Sequence, residues 1–549
     1  MNAPTADAAE GATQRPPVDA GDERASRPID AGDELASRPI DTGVVVIGTG
    51  FSGLGMGIAL VNEGRHDFVI LEKATDVGGT WRDNSYPGCA CDVQSHMYSF
   101  SFEQNPRWSR LFSPQPEIWD YLRRVADKYQ LRRHITFGVE VTGARWDPDT
   151  ARWTLRTRTA EGEPVEYRAR YVVAGVGALH IPNIPALPGI ERFAGTAFHS
   201  AAWDHDYDLT GKKVAVVGTG ASAIQFVPEI AEQVEQLTLF QRSAPWVLPK
   251  ADGPIPRRVQ RLFQFLPPAR RAYRAAVYWL NESFAVGFNG HPGLLRIVER
   301  LGRRYLARVV TDPVLRRKVT PKYTLGCKRV LMSNNYYQAL DGPNADVVTD
   351  GITEVREHSV VDGAGVEHEV DAIIYGTGFH VTDSFDYLDI KGRDGRDLAA
   401  QWREHGIQTH LGINVHGFPN LFFLLGPNTG LGHNSVVFMI EAQVRYALAA
   451  MKLAGRQGVD AIEVRESAQA VFNDEIQGRL AKGVWSTGGC TNWYLDAQGV
   501  NRTLWPGQTW RYWLATRNVE PSDFELVNAR GGPAGSPAPA VLASEGAGA

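Results

Sequence analysis

The segment VVVIGTGFSGLG, Val44 to Gly55, decides the fold of this 549-residue chain. Its apolar start predicts a buried strand, after which Gly48, Gly50 and Gly53 follow in the G-x-G-x-x-G spacing that opens a helix. Such a turn brings backbone N–H groups against a pyrophosphate at a helix N-terminus. Because glycine turns between a strand and a helix also serve packing alone, one such motif is weak support for a nucleotide site.

An acidic residue after the next apolar run strengthens this prediction. FVILE, Phe68 to Glu72, reads as the second strand and ends in a carboxylate. At about 20 residues from such a loop, a carboxylate accepts hydrogen bonds from the ribose hydroxyls of an adenosine without a 2′-phosphate. The first loop therefore predicts an FAD site.

A second loop repeats the pattern. VAVVGTGASA, Val214 to Ala223, carries Gly218 and Gly220 after an apolar strand. Ala223 takes the third glycine position, which the motif tolerates for close helix packing. A second dinucleotide site is therefore expected here.

The strand that follows the second loop ends without an acid. LTLFQRS, Leu237 to Ser243, places Arg242 where the first loop has a carboxylate. A guanidinium can bind a 2′-phosphate with two parallel hydrogen bonds, whereas a carboxylate would repel it. This loop predicts an NADPH site, the alternative being that Arg242 is an ordinary surface cation.

Two nucleotide loops in one chain predict the α/β class, with two Rossmann-like dinucleotide-binding domains and hydride transfer from NADPH to FAD. A helical, arginine-rich insertion (251–322) interrupts the second domain, and the two ends are polar enough to be disordered. The first end contains a duplicated unit, AGDERASRPID and AGDELASRPID. Each domain is predicted to be discontinuous: an FAD domain of residues 42–182 and 371–525, and an NADP domain of residues 183–250 and 323–370, between tails of residues 1–41 and 526–549.

Two further motifs carry a family resemblance. FAGTAFHSAAWD spans Phe193 to Asp204, and GGTWRDNSYPGCACD spans Gly78 to Asp92. With both, the chain resembles the Baeyer-Villiger monooxygenases, NADPH-dependent flavoenzymes that turn ketones into esters or lactones. The Trp203–Asp204 ending favours this family over the flavin-containing and N-hydroxylating monooxygenases. The resemblance runs from about residue 42 to the TLWPG segment near Trp505.

The resemblance implies a mechanism and its catalytic residues. NADPH reduces FAD, dioxygen forms a peroxide at flavin carbon C4a, and that peroxide attacks the ketone while it is an anion. A fixed positive charge must stand beside it, and arginine keeps its charge in a water-poor pocket. By resemblance Arg329 supplies this charge, Asp92 orients Arg329, and Lys328 reaches the NADP phosphate. The alternative is that Arg329 and Asp92 form an ordinary surface ion pair, which contributes little stability.

The resemblance also assigns cofactor contacts in both halves of the chain. Those on the FAD side are Gly48, Gly50, Ser52, Gly53, Glu72, Trp81, Asp92, Tyr98 and Val141. Those on the NADP side are Gly218, Thr219, Gly220, Ala221, Ser222, Ala223, Gln225, Arg242, Ser243, Lys328, Arg329 and Trp493. Trp493 resembles a tryptophan on a mobile loop that closes over NADP, although it could instead be a packing residue.

His199 is an obvious candidate acid or base. In the family, however, its motif lies in the connection between the domains rather than beside the flavin. We therefore expect His199, Trp203 and Asp204 to hold that connection while the NADP domain rotates.

Bulk properties exclude several function classes. A net charge of −5 gives no case for nucleic acid, and we expect the arginines of the insertion to form a solvated helical face. No apolar run reaches the length of a membrane span, so no membrane partner is expected. The four cysteines have no metal-ligand spacing, and so few of them suggest a reducing cytoplasm. The expected partners are a small-molecule ketone and molecular oxygen, with the chain a monomer or a homodimer.

Three alternatives stay open from the sequence. An N- or S-oxygenating flavin monooxygenase would use the same cofactors. A flavin disulfide reductase would need two cysteines beside the flavin, and the spacing of Cys89 and Cys91 does not fit this role. A non-enzymatic redox sensor would leave Lys328 and Arg329 without a purpose. The sequence does not identify the ketone.

Overall fold

The computed structural model describes residues 38–289 and 292–529, and two large sheets dominate it. The strands are β1 (Ile40–Ile47), β2 (Phe68–Glu72), β3 (Ile135–Phe137), β4 (Val139–Asp147), β5 (Arg152–Thr159), β6 (Pro164–Ala174), β7 (Thr196–His199), β8 (Lys213–Val217), β9 (Gln236–Phe240), β10 (Val247–Leu248), β11 (Leu331–Met332), β12 (Ala345–Val348), β13 (Ile352–Val355), β14 (Ser359–Asp362), β15 (Glu367–Glu369), β16 (Ala372–Tyr375), β17 (Asp389–Lys391), β18 (Leu421–Phe423), β19 (Ala461–Val464) and β20 (Phe524–Val527).

Helices cover or connect these sheets. They are α1 (Phe51–Asn62), α2 (Thr80–Asp83), α3 (Gln115–Lys128), α4 (Ala223–Ala231), α5 (Arg257–Phe265), α6 (Pro267–Phe288), α7 (Pro292–Val309), α8 (Pro313–Lys318), α9 (Tyr336–Leu340), α10 (Leu398–His405), α11 (Val436–Gln457), α12 (Glu466–Leu480), α13 (Val484–Thr487) and α14 (Thr509–Ala515). No helix of the described residues is long and apolar enough to cross a membrane.

The first large sheet contains the strand of the first glycine loop. Its order is β17-β4-β5-β6-β1-β2-β3, with β18 also paired to β6. Strand β1 lies between β6 and β2 and runs parallel to both. Val45 and Val46 in β1 are fully buried, which explains the continuous apolar run of the sequence. The first loop and helix α1 leave the carboxyl end of β1, where ligands bind in such sheets.

The second large sheet contains the strand of the second glycine loop. All five strands run parallel in the order β12-β9-β8-β16-β7. The pairing of β16 differs from the predicted domain boundary, which placed residue 371 and those after it with the FAD domain. β16 lies between β8 and β7, so the second sheet continues to Tyr375. A short, fully buried apolar strand carries no sequence signal of which sheet it joins.

The ordered structure extends slightly into both predicted tails. β1 begins at Ile40, where Asp41 forms an ion pair with Arg168 of β6, and β20 ends at Val527. The rest of the tail predictions, including most of the duplicated unit, falls on residues 1–37 and 530–549, outside the described residues.

The predicted insertion folds as helices α5 to α8. One face of α6 is buried, with Val277, Asn281, Glu282, Ala285 and Phe288 at helical spacing. This face packs toward the segments that contain α11 and α14, and the opposite face is exposed.

Candidate active site

The two glycine loops place glycine where no other residue fits. Gly48 has φ +92°, and a Cβ there would stand 2.8 Å from the carbonyl oxygen of Gly175. Gly218 has φ +107°, and its Cβ would stand 2.5 Å from the carbonyl oxygen of Gly376. Each turn therefore packs directly against the backbone that follows a neighbouring strand, β6 for the first loop and β16 for the second. The two glycines occupy equivalent places in the two sheets.

The middle glycine of each loop has room for a Cβ instead. A Cβ on Gly50 would meet its nearest atom at 4.0 Å, and one on Gly220 at 3.7 Å. This opening is where a pyrophosphate approaches the backbone in a dinucleotide site. The residues present thus fit two dinucleotides, one at each loop.

Both loops open onto one cavity of about 1390 Å³. This volume exceeds the roughly 300–1,000 Å³ of a site for a single drug-sized ligand. Of the predicted site residues, the cavity is lined by Gly48, Gly50, Ser52, Glu72, Trp81, Asp92, Tyr98, Val141, Gly218, Thr219, Gly220, Ala221, Ser222, Gln225, Arg242, Ser243, Lys328, Arg329 and Trp493.

Gly53 and Ala223 are the two predicted contacts that do not line this cavity. A Cβ on Gly53 would stand 1.8 Å from the carbonyl oxygen of Gly48, so this glycine lets helix α1 pack against its own loop. Ala223 is fully buried, and a Cβ on Gly376 would stand 3.1 Å from the Ala223 Cβ. Both residues therefore serve close packing here, and their direct contact with the cofactors stays a prediction.

Glu72 is held at the end of β2 by the first loop. Its Oε2 accepts hydrogen bonds from the backbone N–H of Thr49 at 3.0 Å and from the Thr49 hydroxyl at 2.6 Å. Its Oε1 accepts from Ala74 N–H at 3.0 Å and lies 3.1 Å from Arg82 Nη1. The carboxylate is therefore fixed at the mouth of the first loop.

Two cations converge beside the second loop. Lys328 Nζ donates to Ser243 Oγ at 2.6 Å, and Thr219 Oγ1 donates to the Ser243 carbonyl oxygen at 3.4 Å. Burial lowers the pKa of Lys328, and the positive charge of Arg242 lowers it further. Among the described residues neither cation has a carboxylate partner. The pair is thus set to receive an anion such as a 2′-phosphate.

Arg329, the next residue along the chain, has the opposite surroundings. Its Nε donates to Asp92 Oδ2 at 2.7 Å, and its Nη1 donates to the Leu431 carbonyl oxygen at 2.8 Å. The negative charge of Asp92 is the main reason that the pKa of Arg329 is raised. Burial alone would raise the pKa of Asp92, but the charge and hydrogen bond of Arg329 outweigh it and hold this pKa below its usual value. The ion pair is therefore permanent at neutral pH.

Two further residues of this site were missed from the sequence. Lys250 extends to the Cys91 carbonyl oxygen at 3.4 Å and also lowers the pKa of Asp92. Tyr494 is 1% exposed, burial raises its pKa to about 12, and its hydroxyl has no hydrogen-bond partner among the described residues. Since Tyr494 interacts electrostatically with Arg329, its hydroxyl lies in the same group of polar side chains. Neither residue stands in a motif that could have revealed it.

A disulfide joins the Arg329 segment to the Trp493 loop. Cys327 is bonded to Cys490, and Asn492 Nδ2 donates to the Cys327 carbonyl oxygen at 3.0 Å. The small number of cysteines in the sequence suggested a reducing compartment and did not predict this pairing. Since the two cysteines are 163 residues apart, spacing gave no signal. Trp493 is 44% exposed, lines the cavity and packs against the ring of Tyr494.

The motif GGTWRDNSYPGCACD connects the first glycine loop with the second. Tyr86 donates to Gln225 Oε1 at 2.9 Å, and Gln225 Nε2 donates to the Ala90 carbonyl oxygen at 2.9 Å. The amide of Gln225, which we expected to contact NADP, is thus used to hold the segment that leads to Asp92. Trp81 donates to the Tyr98 hydroxyl at 3.1 Å on the side of the first loop.

The residues of FAGTAFHSAAWD lie apart from this chemistry. His199 is 2% exposed, does not line the cavity, and accepts a hydrogen bond at Nδ1 from Ala201 N–H at 3.1 Å. Trp203 packs against Phe198 and Phe226, with ring centroids 5.2 and 5.3 Å away. Asp204 accepts hydrogen bonds from two backbone N–H groups that follow it. These contacts fix the edge strand β7 and the turn after it.

Comparison with known proteins gives consistent findings. A family model described as flavin-binding monooxygenase-like matches residues 41–259. A Baeyer-Villiger monooxygenase of Pseudomonas aeruginosa is 51% identical over 485 residues, which cover 88% of this chain and 91% of that protein. A Baeyer-Villiger monooxygenase of Streptomyces coelicolor is 46% identical over 507 residues, covering 92% and 95%.

Solved structures agree with these relatives. An oxidized steroid monooxygenase bound to NADP matches with a TM-score of 0.79 and 32% identity, covering 89% of this chain and all of the other. A cyclohexanone monooxygenase from Rhodococcus sp. Phi1 bound to NADP⁺ matches with a TM-score of 0.80 and 29% identity, over the same shares. The fold of this chain is thus that of known monooxygenases.

Proposed function

The chain belongs to the Baeyer-Villiger monooxygenases, flavin-dependent enzymes that insert oxygen beside a ketone carbonyl, and we propose that Arg329 and Asp92 carry this chemistry here. One ketone, O2, NADPH and a proton give an ester or lactone, NADP⁺ and water. FAD, once reduced by NADPH, supplies the activated oxygen. The observation that carries the proposal is the permanent Arg329–Asp92 ion pair in a cavity onto which both glycine loops open.

Arg329 acts through its charge. As the new carbon–oxygen bond forms, negative charge develops on the carbonyl oxygen of the ketone, and a positioned cation stabilises it. Asp92 and the Leu431 carbonyl hold two edges of the guanidinium. The Nη2 group has no hydrogen-bond partner among the described residues, so it is available to the reacting oxygen atoms.

Lys328, Arg242 and Ser243 bind the 2′-phosphate of NADPH. Burial and the positive charge of Arg242 lower the pKa of Lys328, and a phosphate that lies between the two cations would attract both. The remaining residues of the second loop, Thr219 to Ser222, bind the pyrophosphate through the helix N-terminus.

Glu72 takes the corresponding role for FAD. Its carboxylate stands at the mouth of the first loop and would accept hydrogen bonds from the adenosine ribose. Ser52, Trp81, Tyr98 and Val141 line the same side of the cavity as further FAD contacts.

Trp493 closes the cavity over the nicotinamide side, and Tyr494 stands behind it beside Arg329. An exposed indole on a loop that borders the cavity is suited to a lid. The Cys327–Cys490 disulfide joins this lid covalently to the Lys328–Arg329 segment, so the position of the lid is linked to that of the catalytic cation.

His199, Trp203 and Asp204 keep the hinge role. Strand β7 lies at the edge of the second sheet and connects back toward the first domain. A buried histidine whose Nδ1 accepts a backbone N–H, and whose pKa burial lowers, suits a neutral structural residue. Rotation of the NADP domain would bend the chain near this strand.

The direct test is oxygenation of a ketone panel with ¹⁸O2. The panel includes cyclic, steroid, aryl and linear ketones, and each product is identified by mass. We expect at least one ester or lactone that carries a single ¹⁸O atom, with NADPH consumption close to ester formation. If no ketone gives an ester while amines or sulfides are oxygenated under the same conditions, the proposed substrate class is wrong.

The compartment is proposed from the cysteines. We place the chain in the cytoplasm because it has only four cysteines and two of them, Cys89 and Cys91, are free thiols. That the chain is a monomer or a homodimer stays a prediction. The disulfide opposes this placement, since cytosolic thiols are usually kept reduced. Quenching intact cells in acid and alkylating the unfolded protein without reductant decides it. Two modified cysteines on unfolding would show that the disulfide persists in cells, and four would show a reduced chain.

A further inference from the structure

The three helices α5, α6 and α7 form a surface that the proposed chemistry does not use. Ten of the 21 exposed large hydrophobic side chains in the described residues fall within residues 262–301. This density in about 40 residues departs from the scattered single residues that are normal on a protein surface, so we treat these ten side chains as one patch. The patch requires an explanation of its own.

The outer face of α6 beyond Arg271 has no charged side chain. After Arg271, its exposed positions are alanine, serine and larger apolar residues, including Trp279, Leu280 and Phe284. Trp279 is 59% exposed. The two charged residues in this stretch, Arg274 and Glu282, are both buried on the inner face.

Buried hydrogen bonds fix that inner face. Glu282 Oε1 accepts from Asn434 Nδ2 at 2.7 Å and from the Thr509 hydroxyl at 2.6 Å, and its Oε2 accepts from Thr509 N–H at 3.0 Å. Arg274 Nη1 donates to backbone carbonyl oxygens of residues 96 and 97. The helix cannot roll to bury Trp279 without breaking these bonds, so the apolar face is a stable feature.

Helices α5 and α7 continue the patch on both sides. Phe263 of α5 packs against Tyr273 of α6, and a Cβ on Gly287 of α6 would stand 2.8 Å from Leu295 of α7. Phe265, at the end of α5, is 77% exposed. On α7, Leu294, Ile297 and Leu301 are exposed at helical spacing, so they form one stripe.

Positive charge surrounds this apolar surface. Residues 251–322 contain 15 basic and 4 acidic side chains, a net charge of +11 in a chain whose total is −5. Arg296, Arg300 and Arg304 lie four residues apart on α7, beside the apolar stripe, and all three are exposed. Within the described residues none of these three forms an ion pair, so their charges face solvent.

From this combination we propose that helices α5 to α7 dock on a membrane surface that contains anionic lipid. Exposed aromatic and aliphatic side chains enter the boundary between headgroups and acyl chains, and flanking arginines bind the negative headgroups. These three helices lie in the bilayer interface and do not cross it. The surface thus adds a membrane partner that the sequence did not predict.

Charge favours a lipid surface over a second copy of this chain. A two-fold dimer would place the same patch on both subunits, so the arginine stripes would face each other. An anionic bilayer instead supplies the opposite charge along the whole patch.

The test is co-sedimentation of the full-length holoenzyme with vesicles. Mixed vesicles of phosphatidylcholine and phosphatidylglycerol are compared with vesicles of phosphatidylcholine alone. We expect binding to the mixed vesicles at least about tenfold tighter than to the neutral ones, and release at high salt. Equal binding to both vesicles, or no binding to either, would overturn the proposal.

Two variants separate the charged and apolar contributions. Arg296→Ala with Arg300→Ala should weaken binding to mixed vesicles roughly 30-fold, from about 1 kcal/mol for each arginine. Trp279→Gln with Phe284→Gln should weaken it by about tenfold or more. The matched controls Arg133→Ala and Val471→Gln alter exposed residues elsewhere and should bind as the wild type does.

Flavin content and thermal unfolding establish that each variant is folded, without reference to the ketone reaction. If the variants and controls lose binding equally, the patch is not the docking surface. If the wild type binds no vesicle but forms a concentration-dependent dimer that Trp279→Gln with Phe284→Gln abolishes, the partner is a second copy and the proposal is wrong.

Discussion

Lys328 and Arg329 are neighbours in the chain, yet the structure gives them opposite electrostatic surroundings. Arg329 faces Asp92, whose negative charge raises the pKa of the guanidinium. Lys328 is held by the neutral hydroxyl of Ser243, and both burial and Arg242 lower its pKa. The first cation is balanced by the protein itself, whereas the second is balanced only when an anion binds. One short segment thereby serves two different tasks.

Removing Arg329 tests the first of these tasks and has the largest expected effect. In Arg329→Ala, ester formation from a ketone should fall by about 1,000-fold, since loss of one positioned charge-stabilising group costs about 10²–10³ in rate and Asp92 is left without its partner. Product is measured by mass at saturating NADPH. Arg329→Lys keeps the charge but lacks the planar guanidinium fork. Its rate of ester formation should lie between those of the wild type and Arg329→Ala. An alanine variant with wild-type ester formation would remove Arg329 from the mechanism.

Removing Arg242 tests the second task. In Arg242→Ala the KM for NADPH should rise roughly 10- to 100-fold, because a charge-assisted hydrogen bond to a phosphate contributes about 1.5–3 kcal/mol. The KM for NADH should change little, since NADH has no 2′-phosphate. Initial rates with each cofactor provide both values. Arg133→Ala, an exposed arginine outside the cavity, is the matched control, and an equal rise for both cofactors would contradict this role.

The pH dependence of NADPH binding tests the charge state of Lys328. The charged form of Lys328 binds the phosphate, and in the free enzyme burial and Arg242 lower its pKa. The KM for NADPH should therefore rise several-fold as the pH increases through this lowered pKa, below the usual lysine range. In Arg242→Ala the rise should move to higher pH. A KM that stays flat until the ordinary lysine pKa would contradict the predicted shift.

Opening the disulfide should have the smallest effect. Cys490→Ser releases the Trp493 loop from the Lys328–Arg329 segment, and we expect several-fold more hydrogen peroxide per NADPH because the lid excludes water less well. Dithiothreitol should do the same to the wild type and leave Cys490→Ser unchanged. If the reductant affects both proteins equally, the disulfide is not the cause.

Local patterns were enough to predict many of the residues that line the cavity. Gly48, Gly218, Glu72 and Arg242 stand at fixed offsets from apolar strands, and the structure places them around one cavity. The offsets are informative because the strand, turn and helix of each loop are consecutive in the chain.

Residues brought together by distant packing could not be predicted in this way. Lys250, Tyr494 and the Cys327–Cys490 bond reach the site from segments without a motif. Strand β16 was assigned to the wrong sheet, since a buried four-residue apolar run looks the same in either one. The hydrogen bonds of the Gln225 amide to Tyr86 and Ala90 also join segments that are distant in the chain, and contact of Gln225 with NADP stays a prediction.

The central claim is that Arg329 acts in oxygenation, whereas the neighbouring Lys328 and Arg242 act in NADPH binding. The coupling ratio, which is the ester formed per NADPH consumed, tests this claim most directly. Ester formed per NADPH consumed is measured at saturating NADPH in Arg329→Ala and Arg242→Ala. We predict that the ratio falls close to zero in Arg329→Ala, although NADPH still reduces the flavin, and that it stays near the wild-type value in Arg242→Ala. Equal ratios in the two variants would contradict the claim.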